Sequence, residues 1–177
     1  MNAAVEVRDA GLKGRGVFAL RPFERGAVIL QFERGCVVHG DQLATLTPWE
    51  CEHLGELSAD TCQVLSAPRC YLNHACAPNA ISSSDTVRAW RAIQAGEEIT
   101  IDYRLNALDD WELRCACPAY NVPHVVIGHF FTLCVDLQRQ YVPYAPPFVQ
   151  QEYLRRYSIP GPGPEASAWE QEWPVRW

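Results

Sequence analysis

The sequence predicts a single domain that is mainly β with short helices, and three observations predict it. The 177 residues match one domain of roughly 150 residues. Apolar residues make up 48% of the chain, enough for a true core and too many for wholesale disorder. Short β-prone runs broken by Gly and Pro fill much of the first hundred residues, whereas helical spacing of apolar residues comes mainly after residue 130.

The elements follow in order. Gly14-Arg15-Gly16 leads into Val17-Phe18-Ala19, and Pro22 to Gly26 leads into Ala27-Val28-Ile29-Leu30. Such runs fit hairpins rather than helices. Residues 41–57 change character: Asp41 can cap a helix, and Trp49, Leu54 and Leu57 after Pro48 have loose helical spacing. Strand signals return over 85–103, where Thr86 to Trp90 passes through a Gly96 turn to Ile99-Thr100-Ile101-Asp102-Tyr103. Leu133, Leu137, Tyr141, Tyr153, Leu154 and Tyr157 predict helices over 132–141 and 149–157. The Pro-rich tail, with Trp169, Trp173 and Trp177, reads as an extended segment that covers apolar surface.

Charge and composition narrow the function classes. Fifteen basic against 21 acidic residues give a net charge of −6, which excludes a non-specific nucleic-acid binder. Residues 1–16 carry five charges and no apolar run, so they are no secretory leader. The longest near-apolar stretch, 122–135, contains His124 and His129 and falls short of the ~20 residues a membrane span needs. The expectation is a soluble, cytoplasmic protein with no membrane partner. There, eight cysteines read as thiols or metal ligands before disulfides. Cys36, Cys51, Cys62, Cys70 and Cys134 show no ligand spacing and read as small buried hydrophobes.

Three separated segments carry the chemistry. They are Lys13-Gly14-Arg15-Gly16-Val17-Phe18-Ala19, Tyr71-Leu72-Asn73-His74-Ala75-Cys76-Ala77-Pro78-Asn79 and Gly96-Glu97-Glu98-Ile99-Thr100-Ile101-Asp102-Tyr103. In this order they resemble the SET-domain lysine methyltransferases, whose signatures are a GxG turn, NHxCxPN and GEE(L/I)TxDY, and most of all the compact bacterial members. Asp109 to Cys117 is similar to the approach to the family's post-SET segment. The resemblance implies several small sheets and a knot-like crossing that brings Asn73 and His74 beside Tyr103. It places a SET domain over 1–130 with a degenerate post-SET segment at about 109–130; beyond it the residue pattern gives a helical extension over 131–157 and a tail over 158–177 with no family counterpart.

The resemblance also implies the activity: S-adenosylmethionine gives a methyl group to a lysine amine by in-line displacement. A lysine amine has an ordinary pKa of about 10.4. Burial beside a cationic sulfonium lowers it, so no strong general base is needed, and catalysis is mostly positioning and electrostatics. Tyr103 matches the catalytic tyrosine and also borders the cofactor. Asn73 and His74 are implied cofactor contacts. Lys13, Gly14, Arg15 and Gly16 would offer backbone to the methionine end, glycine allowing close approach. Tyr71 and Ile101 would line the substrate channel, Ile101 standing where the family usually has an aromatic that limits methyl number.

The pattern breaks at the family's zinc. Cys76, Cys115 and Cys117 match three ligand positions, but the fourth is Val122. Structural zinc takes four ligands, so the expectation is three thiols packed without metal, Val125, Val126, Ile127 and Phe130 closing a lid over the adenine. His124, behind Pro123, is the substitute donor within reach. Ala75 replaces the usual Ser. An acidic chain suits a basic protein or peptide substrate through long-range attraction. Two other readings stay open: a small-molecule substrate in a biosynthetic pathway, and a non-catalytic binding module.

Overall fold

Val5, Val7, Val17, Ala19 and Ile99 share one side of their strands and one core, because side chains alternate along a strand. The computed structural model describes residues 4–33, 35–58, 60–83, 85–115, 117–120 and 122–158. Its strands are β1 (Val5–Asp9), β2 (Arg15–Ala19), β3 (Val28–Gln31), β4 (Val37–His39), β5 (Leu54–Ser58), β6 (Thr61–Val64), β7 (Asn73–His74), β8 (Ala80–Ser82), β9 (Thr86–Ala89), β10 (Glu98–Ile101), β11 (Glu112–Cys115) and β12 (His124–Ile127). Helices α1 (Pro48–Glu52), α2 (Val135–Tyr141) and α3 (Pro147–Arg156) accompany them. The sheets run β1-β2-β10-β7, β3-β9-β8, β4-β6-β5 and β11-β12. The predicted class, mainly β with short helices, is the observed one.

The first core fills the space between the two sheets that hold β10 and β9. Val17, Ile99, Ile93 and Val87 are fully buried there. A second core joins the C-terminal helices to the sheets: Phe130, Leu133, Tyr141, Val149 and Tyr153 pack with Ile81 and Leu105. The helices expected over 132–141 and 149–157 are thus present, and their apolar residues are what hold them in place. The tail beyond 158 lies outside the described residues. Among the described residues no helix is long and apolar enough to cross a membrane.

The region 41–57 departs from expectation. Asp41 falls inside a 3-10 turn over Gly40–Thr45 that His39 caps. Helix α1 is a single short turn; the Thr47 hydroxyl accepts from Glu50 N, and the Glu50 carboxylate accepts from Thr47 N. Leu54 and Leu57 belong to β5, which pairs with β6, so cross-strand pairing overrode a weak local spacing. The scattered cysteines also differ. All eight thiols are free, but Cys36, Cys51 and Cys134 are exposed and Cys62 and Cys70 only partly buried.

What positions the site is the parallel pair β10–β7. Thr100 stands beside Asn73 and Ile101 beside His74, and Ala75 N donates to Ile101 O at 3.0 Å. Asn79 locks β10 from its other flank. Its Oδ1 accepts from Thr100 N at 2.9 Å, and its Nδ2 donates to Glu98 O at 2.8 Å and Glu97 Oε1 at 3.1 Å. Asn79 is buried, so Asn79→Ala strands main-chain groups away from water. The expected loss is about 2–4 kcal/mol, read from the urea midpoint.

Glu56 on β5 ties that sheet to the chain after Tyr103, accepting from Leu108 N at 3.2 Å. Burial raises its carboxyl from 4.5 to about 6, Leu108 N–H opposing and Asp109 adding. An acid raised in the fold binds more protons folded than unfolded between those values, so stability falls as pH climbs through that window. Glu56→Gln should match the wild type below pH 4.5 and melt higher above pH 6. The gain is roughly 1 kcal/mol or less, because the group is partly exposed. Melting curves across pH test this.

Candidate functional site

The glycine turn places a charged cluster at one end of the site. Gly14 has φ 75°, a left-handed conformation that glycine adopts freely, and among the described residues nothing beyond its chain neighbours lies within 4 Å of where its Cβ would be. At Gly16 a Cβ would stand 2.7 Å from Glu98 Oε1 and 2.9 Å from Ala10 Cβ, so only glycine fits. Asn73 Nδ2 donates to Arg15 O at 3.0 Å and to Glu98 Oε1 at 2.8 Å. The Lys13 ammonium pairs with Glu98 Oε2. Lys13, Arg15, Gly16 and Asn73 therefore converge, and the residue they converge on, Glu98, carried no assigned role.

Tyr103 begins a 3-10 turn capped by Asp102, whose Oδ1 accepts from Arg104 N at 3.1 Å. The Tyr103 hydroxyl donates to Leu72 O at 2.7 Å, and Tyr103 N donates to His74 Nδ1 at 3.2 Å. Burial, with Glu98 adding, pushes the phenol up to about 12, so it stays protonated at neutral pH. Its ring lies edge-on to Trp111 at 6.2 Å. Trp111 in turn fills the space a side chain would need at residue 128, where Gly128 stands.

His74 faces inward, its side chain 2% exposed. Burial draws its imidazole down to about 4, Asp102 opposing, so the ring is neutral. Tyr71 is covered by the Arg15 guanidinium at 4.6 Å and meets His53 edge-on at 6.0 Å, on which Trp49 stacks at 4.4 Å. Ile101 is 8% exposed and part of the first core, against which Tyr71 and Tyr103 pack.

The three matched cysteines gain a fourth neighbour. In the β11–β12 hairpin Cys115 stands opposite His124. One ligand atom each from Cys76, Cys115, Cys117 and His124 lie within 4.8 Å of one another. His124 Nδ1 is 3.3 Å from Val122 O; an N–H donated there leaves Nε2 with a bare lone pair, 3.1 Å from Cys76 Sγ. Three sulfurs and one nitrogen are a donor set of the structural zinc type, and holding an imidazole through its other nitrogen is how such ligands are oriented. Val122 offers no side-chain ligand, and His124 stands where a fourth donor would be needed. Val122 is 66% exposed, while its carbonyl lies 3.3 Å from His124 Nδ1. A cleft of about 220 Å³ opens beside the cluster, lined by Cys76, Arg104, Tyr120, His124 and Val126 among others. Phe130, expected in the lid, is instead fully buried in the second core with α3.

The family model for the SET domain matches residues 14–104, more than half of the chain. The chain belongs to the SET-domain family. SET domains are methyltransferases that use S-adenosylmethionine, and the small sheets with short helices are consistent with their fold. The SET match takes in Gly14, Arg15, Gly16, Tyr71, Asn73, His74, Cys76, Ile101 and Tyr103. Lys13 precedes it, and Cys115, Cys117 and His124 follow it. Glu98 and Asn79 both stand in quoted SET signatures; what sequence could not give was their partners.

Proposed function

We propose that this SET domain transfers methyl groups from S-adenosylmethionine to a lysine side chain of a protein or peptide. The observation that carries the reading is the register of β10 on β7, which sets Tyr103 against both Leu72 O and His74. When bound, the donor supplies a methyl group on a positively charged sulfur. Open space at Gly14 and the unlike charges of Lys13 and Glu98 fit its zwitterionic methionine end, Lys13 toward the carboxylate and Glu98 toward the ammonium. Asn73 holds Glu98 in place. The cleft beside Cys76 and Val126 suits the adenine.

Tyr103 orients the acceptor. Its proton is donated to Leu72 O, which leaves the phenol's lone pairs to accept from the amine N–H and turn the nitrogen lone pair toward the methyl. A phenol that keeps its proton to about 12 serves as a positioning partner, not as a base. Tyr71 and Ile101 wall the substrate side. Cys76, Cys115, Cys117 and His124 hold one zinc, which pins the hairpin of β11 and β12 over the cleft. Residues 109–130 act as the post-SET segment and 131–157 as a helical buttress. The net charge of −6 supports a basic substrate, and eight free thiols support a cytoplasmic setting.

The test is labelled S-adenosylmethionine added to a lysate of the source cell, separated into protein and small-molecule fractions. Label is expected in protein and lost in Tyr103→Phe. Label confined to the small-molecule fraction would overturn the protein substrate.

A further inference from the structure

One imidazole outside the donor set touches both the metal centre and the tyrosine. Tyr103 N–H donates to His74 Nδ1 at 3.2 Å, so Nδ1 bears a lone pair and the ring proton lies on Nε2. That nitrogen is 3.3 Å from Cys76 Sγ. Asp102 Oδ1 lies 3.7 Å from Nδ1, but its carboxylate is already held by Arg104. Arg104 Nε donates to Oδ1 at 2.9 Å, its NH2 group to Oδ2 at 2.7 Å and its backbone N–H to Oδ1 at 3.1 Å.

We propose that His74 is a positioning residue that couples the metal centre to Tyr103, donating Nε2–H to the Cys76 sulfur and accepting the Tyr103 backbone N–H at Nδ1. The relay rests on the zinc reading for its strength, because a metal-bound thiolate accepts a stronger hydrogen bond than a neutral sulfur. A donor on a ligating sulfur is also how outer groups tune a metal site. The sequence spacing permits it: one residue, Ala75, separates His74 from Cys76, and β10 delivers Tyr103 through its parallel pairing with β7. The metal centre then does more than staple a hairpin. It fixes one ring, and that ring fixes the backbone from which the phenol projects.

Nitrogen NMR of the wild-type protein reads the tautomer directly. A protonated Nε2 with a bare Nδ1 on His74 is expected; the opposite tautomer or a doubly protonated ring at neutral pH would overturn the relay. Metal content is measured on the same sample. A metal-free protein would end the zinc reading, while the tautomer would still judge the relay. In cobalt-loaded protein two variants divide the bonds. The amide of His74→Asn reaches as far as Nδ1 but not Cys76, so the sulfur-to-cobalt absorption should shift to longer wavelength. His74→Gln can still reach the sulfur; its band should stay, while the Tyr103 amide exchanges about 10-fold faster or more. A band unmoved in His74→Asn would overturn the proposed bond to Cys76.

Discussion

Tyr103→Phe leaves the protein folded and lowers methyl transfer by about 10²-fold or more. The substitution removes one oxygen, and that oxygen has two tasks. It donates to Leu72 O at 2.7 Å, a bond whose loss costs about 1 kcal/mol of stability. Its lone pairs are also the only part of the phenol left to meet an incoming amine. Misdirecting the attacking nitrogen is expensive, because displacement at a methyl carbon requires the nucleophile, carbon and leaving sulfur in line. Since burial pushes the phenol up to about 12, the tyrosine itself adds no titration to the rate between pH 6 and 9; any rise there belongs to the substrate amine losing its proton. Steady-state transfer and urea unfolding on one preparation separate the effects. Wild-type turnover in the variant would remove Tyr103 from its role.

One zinc per chain is expected in the wild-type protein, and His124→Ala is expected to weaken its binding by about 100-fold or more. Losing even a partner of a ligand costs 10–100-fold as a rule of thumb, roughly, and His124 is the ligand itself. With Nδ1 donating to Val122 O, 3.3 Å away, Nε2 of His124 would be the fourth donor that Cys76, Cys115 and Cys117 lack alone. Chelation should then loosen β11 and β12 first. Among the described residues the apolar cluster at that hairpin is small, Ala75, Cys115, Cys117 and Val126 with Trp111 and Leu113 packed against it, and two strands alone are marginal. Elemental analysis, chelator competition and hydrogen exchange over residues 112–127 check this. An affinity unchanged in His124→Ala would contradict the donor assignment.

Much of this was legible in sequence, and the physical reasons mark where legibility stopped. Val17, Ile99 and Ile101 sit in short alternating runs between glycine turns, and such runs make strands wherever a core is available. The signatures around Gly14, Asn73 and Tyr103 pointed to the SET family, whose model matches residues 14–104, because such residue types are demanded locally. Leu54 and Leu57 misled because helix α1 ends at Glu52 and the following residues answer to β6, a partner no local spacing reveals. Glu98 stood inside the GEE(L/I)TxDY motif, yet its partners come from elsewhere: Lys13 from the 3-10 turn before β2 and Asn73 from β7. His124 was within reach on paper, but only the pairing of Cys115 with His124 puts it among the thiols. Distance along the chain hides each of these, and pairing register recovers it.

The most direct test is to label protein with methyl-labelled S-adenosylmethionine, hydrolyse it to amino acids and separate them. Label in methylated lysine, absent when Tyr103→Phe replaces the wild type, is the result predicted. Label in any other amino acid, or in none, would contradict it.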